Sequence, residues 1–140
     1  HAEALHCAVI GTPNKHEQEQ GFFVKFGDGA GDVMPIGNLY KTQVYQLADY
    51  LGVPQSIIDR TPTTDTYSAA QTQEEFFYQL PFRMMDIFWY GFENGYPPEE
   101  VAQVMGETTE RVEALFRNFD RKRRTTEYLR MPPLRDYYSE

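Results

Sequence analysis

A chain of 140 residues with 41% hydrophobic and 24% charged positions has the size and mixture of one soluble globular domain, and aromatics at 15% exclude a disordered chain. A formal net charge of −8 argues against a surface built to hold nucleic acid or anionic membrane, and no stretch approaches the apolar length of a membrane span. The single cysteine, Cys7, excludes an internal disulfide and fits a reducing compartment, so a cytoplasmic protein is expected.

The chain opens on His1-Ala2-Glu3, with neither Met nor a basic signal segment, and begins just before an apolar run, as a piece of something longer would. That run, Leu5 to Ile10, closes on Gly11-Thr12-Pro13 and reads as a fully buried strand entering a tight turn. It is the one clear strand expected in an otherwise mostly α-helical chain, and it would bury Cys7 as a structural thiol. Lys15 to Phe23 is polar and Gln-rich, with a helix ending near Gly21, and Gly27 to Asp32 must be a loop. Tyr40, Val44, Leu47, Ala48 and Leu51 fall at helical spacing ahead of Gly52 and Pro54, which predicts an amphipathic helix over 39–51.

Pro62 to Gln73 carries Thr, Ser and Gln with almost no aliphatic residues and reads as an exposed, mobile loop. Glu74 to Trp89 is predicted helical in two pieces, the second starting at Pro81. Pro97-Pro98-Glu99-Glu100 places proline and acids in the first turn of a helix that Gly106 ends. Val112, Leu115, Phe116 and Phe119 mark another, capped by Thr108 or Thr109, and the tail at Met131-Pro132-Pro133 is extended.

Several groups could carry chemistry. Thr12 stands at the carboxyl end of the expected strand, where ligands bind in open α/β sheets, and a helix starting near Asn14 would offer its amides to the same anion. Glu17, one turn on, suits a divalent cation, although a solvated Glu at an ordinary strand-turn-helix corner has the same pattern. Gly27-Asp28-Gly29-Ala30-Gly31-Asp32 fits neither a dinucleotide fingerprint nor an EF-hand. It remains a tight loop able to bring Asp32 and Lys25 to a polar ligand. Gly37 is not adjacent to Lys41, so there is no Walker A motif, yet a lysine at a helix start works against the dipole and favours an anion nearby. His1, His6, His16 and Cys7 lack zinc-ligand spacing. The predicted helices from Pro98 to Arg124 resemble a DNA-binding helix-turn-helix followed by Arg121-Lys122-Arg123-Arg124, but Glu107, Glu110 and Glu113 stand where phosphates would lie.

Taken in order, Gly11-Thr12-x-Asn14-Lys15-x-Glu17, Gly21-Phe22-Phe23-Val24-Lys25-Phe26-Gly27-Asp28-Gly29 and Pro35-Ile36-Gly37-x-Leu39-Tyr40-Lys41-Thr42-Gln43-Val44 resemble consecutive motifs of the NAD synthetases. The match is close over 5–62 and looser to Pro133. It implies an α/β fold of the adenine-nucleotide α-hydrolase-like (Rossmann-like) type, with residues 1–140 as the C-terminal part of the synthetase domain. The family's Ser-Gly-Gly-x-Asp-Ser pyrophosphate loop is absent from this sequence. The resemblance further implies a homodimer that uses ATP and Mg2+ to adenylate deamido-NAD, after which ammonia, free or released from glutamine, displaces AMP. Carried over by position, Thr12, Lys41 and Thr63 would contact ATP, Glu17 would bind Mg2+, and Lys25 and Asp32 would lie beside deamido-NAD. Where family members end in Ser or Thr-x-His-Lys-Arg, this chain has Thr126-Glu127-Tyr128-Leu129-Arg130, one positive charge fewer. Such a piece alone is expected to be inactive. The competing expectations are a non-catalytic dimerisation module and a helix-turn-helix DNA binder.

Overall fold

The structure, a computed structural model, describes residues 1–64 and 71–133. The part of the expected mobile loop at 65–70 lies outside the described residues. In chain order the helices are α1 (Lys15–Gln20), α2 (Lys41–Tyr50), α3 (Gln55–Ile58), α4 (Phe82–Glu93), α5 (Pro98–Met105), α6 (Thr109–Thr125) and α7 (Glu127–Arg130). A π-helical turn, Glu74–Tyr78, precedes α4, and 3-10 turns lie at Glu3–Leu5 and Asp28–Ala30.

The expected strand at 5–10 is not formed. Leu5 belongs to a 3-10 turn closed by His6 in the left-handed region, and only Ile10 pairs, in an isolated parallel bridge with Val33. Gly11 N–H donates to the Val33 carbonyl at 2.8 Å and Asp32 N–H to the Val9 carbonyl at 2.9 Å, so two extended segments touch without extending a ladder. A parallel strand needs partners on its edges and cover on both faces. Here Leu5 is 70% and Ile10 59% exposed, and Cys7 is exposed rather than buried.

The core is built on α4. Met85, Phe88 and Trp89 on its inner face are fully buried, and Val101 and Ala102 of α5, Val112 and Phe119 of α6, and Tyr78, Leu80 and Phe82 before and at the start of α4 close around them. Trp89 packs on Phe119 with ring centroids 5.0 Å apart, while Phe92 meets Phe116 and Phe119 edge-on. Burying each such ring contributes roughly 1.5–3 kcal/mol. The two helices that resemble a DNA-binding hairpin thus spend their apolar faces on this core. Helix α2 forms at its expected place, but its apolar stripe is not enclosed, and Leu51 is 67% exposed.

Helix α1 runs against expectation in another way. Its sequence, Lys-His-Glu-Gln-Glu-Gln, has no apolar residue, yet His16 and Gln20, one turn apart, are fully buried. His16 stands edge-on to Trp89 and Tyr78 at 6.0 and 6.1 Å. A charged and polar helix therefore lies against the aromatic core.

Candidate active site

The first and third sequence motifs are joined at the N-termini of α1 and α2. Asn14 caps α1: its side chain accepts from Glu17 N–H at 3.2 Å, and Glu17 Oε2 accepts from Asn14 N–H at 2.8 Å, a reciprocal capping box. Those donors are spent locally, so the short helix does not hold them out to an anion. Lys15 N–H donates to the Leu39 carbonyl at 3.0 Å, which ties the start of α1 to the segment entering α2.

Burial raises the Glu17 carboxyl above its ordinary range, and the Asn14 bond and the positive field of Lys41 pull it down without prevailing. Glu17 and Lys41, assigned independently by the motifs, are thus within electrostatic reach of one another, with Asp28 adding negative charge to the same neighbourhood. Lys41 is the first residue of α2, and its ammonium lies 5.4 Å from the Phe82 ring centroid. The anion that its position at a positive helix end calls for is met in part by protein: Asp86 of α4 accepts from Thr42 N–H at 2.9 Å and also from the Thr42 hydroxyl.

Asp86 reaches further. Its other oxygen lies 2.5 Å from His16 Nε2, so one buried carboxylate links α1, α2 and α4. Burial pushes its carboxyl up, but the bonds from His16 and Thr42 together outweigh this and hold it below the usual range. A pocket of about 440 Å³ opens beside Thr42 and Asp86, with Tyr45 and Arg83 in its wall. A second cluster sits at the far end of α4, where Glu93 pairs with Lys15 at 2.6 Å and accepts from the Tyr40 hydroxyl. Sequence reading missed Asp86 and Glu93, because each stands alone in an apolar helix and looks like a solvated polar position.

The remaining candidates lie at separate points. Thr12 is exposed at the turn before α1. Asp32 does not face solvent alone, since its Oδ2 accepts from Val9 N–H at 2.8 Å. Lys25 donates to the carbonyls of Tyr128 and Met131 at 2.9 and 2.6 Å, which brings the lysine assigned to the substrate against the divergent tail. Arg130 of that tail is an anchor, with bonds to the carbonyls of Gln18 at 3.0 Å and Arg123 at 2.6 Å. Thr63 is exposed and forms an antiparallel bridge with Thr72.

Among the described residues no three His, Cys, Asp or Glu side chains converge as a protein-only metal cage requires, and no helix is long and apolar enough to cross a membrane. A lone carboxylate such as Glu17 nevertheless suits Mg2+, which takes its other ligands from phosphates and water.

Comparison with known proteins is consistent across sequence and structure. The chain is 54% identical over 134 residues to an NH(3)-dependent NAD(+) synthetase of Mesorhizobium japonicum, covering 96% of this chain and 42% of that protein. It is 38% identical to one from Thermococcus kodakarensis, of which it covers 50%. A solved structure of NMN synthetase from Francisella tularensis aligns with a TM-score of 0.69 at 26% identity, over 98% of this chain and 50% of that one. The chain therefore spans about half or less of the length of the proteins it matches, and it shares the fold of the half of that synthetase with which it aligns. The NAD synthase family model matches residues 1–130, a span that includes Glu17 and Lys41, and the chain belongs to the NAD synthase family.

Proposed function

We propose that this chain is one part of a cytoplasmic, homodimeric NAD synthetase that uses ATP to adenylate the nicotinate carboxylate of deamido-NAD and lets ammonia displace AMP. The observation that carries the reading is that the starts of α1 and α2, which bear Glu17 and Lys41, are tied together by Lys15 N–H donating to the Leu39 carbonyl at 3.0 Å, with the two side chains within electrostatic reach of each other. A carboxylate for Mg2+ and a cation for phosphate are what charge transfer onto a departing pyrophosphate requires. When bound, the ion would neutralise charge on the triphosphate. Lys41 would hold ATP from the other side, with Thr12 and Thr63 contributing further contacts. Lys25 and Asp32 would border the dinucleotide. The tail touching Lys25 supports that placement, since Tyr128 and Leu129 stand where the resemblance puts residues that would meet deamido-NAD.

The covered share of the relatives, 42% and 50%, supports a shared site whose other groups, including a pyrophosphate cradle, come from sequence outside these residues. The test uses a completed enzyme, the Mesorhizobium japonicum relative with its matched segment replaced by this chain. Glu17→Ala should raise the magnesium concentration needed for half-maximal rate. Lys41→Ala should lower kcat/KM for ATP about a hundredfold, or about 3 kcal/mol. Unchanged kinetics in both variants would remove the site assignment. The structural likeness to NMN synthetase favours a second reading, amidation of a mononucleotide, and offering deamido-NMN beside deamido-NAD separates the two.

A further inference from the structure

We infer that Asp86 is a positioning residue for this site, and that it acts through Thr42 and His16 to hold Lys41 and Glu17 in register; the inference rests on the proposed roles of those two groups. The geometry is specific. Lys41 and Glu17 lie on different helices, α2 and α1. A single buried carboxylate on a third helix reaches the residue after Lys41 through two bonds and the residue before Glu17 through one. Helix α4, which supplies Asp86, is also the centre of the aromatic core, with Met85 and Phe88 on either side of it fully buried. The backbone of Asp86 is therefore fixed by packing, and it can transmit that rigidity to both helix starts. The bonds from Thr42 also place a negative charge at the N-terminus of α2. This holds the first turn wound, and with it the backbone from which the Lys41 side chain leaves.

Removing such a tether leaves the functional groups present and chemically intact but misplaced, which is costly when a nucleotide must be gripped from two sides. The expected signature is an effect on the ATP and magnesium side of the site that spares the dinucleotide side, where Lys25 is held by the tail.

In the completed enzyme, Asp86→Asn and Thr42→Val should each raise KM for ATP and the half-saturating magnesium concentration about tenfold, with KM for deamido-NAD within about twofold of its starting value. Thr42→Ser, which keeps the hydroxyl, should restore both. Should Asp86→Asn fail to fold, the Val and Ser pair at position 42 decides the matter. Equal shifts in the ATP and deamido-NAD constants, no shift at all, or a Ser variant as impaired as the Val variant would overturn the inference. Wild-type kinetics in Lys41→Ala and Glu17→Ala would remove the site assignment itself, whereas loss in those two with normal Asp86 and Thr42 variants would remove only the positioning role.

Discussion

Lys122 carries its ammonium into an aromatic setting on α6, 4.1 Å from the Phe77 ring centroid, and donates to the Phe77 carbonyl at 2.7 Å. Burial pulls its pKa down to about 8, and neighbouring Arg121 adds to the effect. The unfolded chain would keep that lysine protonated to about pH 10.4, so between these values the unfolded state binds more protons. The destabilisation from burying the charge is fully present below pH 8 and is relieved as pH rises above it. Chemical denaturation of the chain at a series of pH values should therefore show Lys122 becoming less destabilising from pH 8 to 10. The difference in stability between wild type and Lys122→Met should shift in favour of wild type over that window, and a difference that stays flat would mean the ammonium is solvated. Residue-scale features of this kind are poorly legible in sequence. His16 and Gln20 look solvated because a polar hexapeptide gives no apolar period, and their burial is imposed by α4 from 70 residues away. Cys7 misleads in the opposite sense, since an apolar neighbourhood in sequence is here an exposed one in space.

Helix ends were far more legible than strands, and the reason is the range of the forces involved. Gly21 and Gly106 adopt φ of 74° and 66° as helix stops, Pro81 and Pro97 precede helices, and the Thr108 hydroxyl accepts from Arg111 N–H, all of them local chemistry. A strand at 5–10 depends on distant partners, and those described supply one bridge, at Ile10. The two glycine stops also allow a matched experiment. A side chain at Gly106 would meet nothing within 4 Å, whereas one at Gly21 would overlap the Thr126 side chain. Gly106→Ala should cost only the left-handed conformation, about 1 kcal/mol. Gly21→Ala should cost about 1–3 kcal/mol beyond that through overpacking against the end of α6. Equal losses in thermal denaturation would mean that α1 does not pack on α6 as described.

For the whole molecule, the distribution of apolar surface matches a part better than a complete enzyme. Val9, Ile10 and Val33, at or next to the parallel bridge, are exposed, and so are Val24 and Phe26. Leu47 and Tyr50 on α2 and Leu51 just beyond it are exposed as well. Soluble monomers rarely leave so much apolar surface uncovered, and extended segments with unpaired backbone groups are templates for pairing. In the proposed enzyme these surfaces receive the remaining sequence, which completes the site around Glu17 and Lys41. The motifs disclosed the family because they are short and local; the Asp86 and Glu93 networks stayed hidden because each joins segments far apart in the chain. The most direct measurement is NAD formation from deamido-NAD, ATP and ammonia by the chain alone and by the Mesorhizobium japonicum relative carrying it in place of its own segment. The account predicts turnover in the completed enzyme and none in the chain alone. Turnover by the 140 residues unaided, or none by the completed enzyme while the parent relative is active, would contradict it.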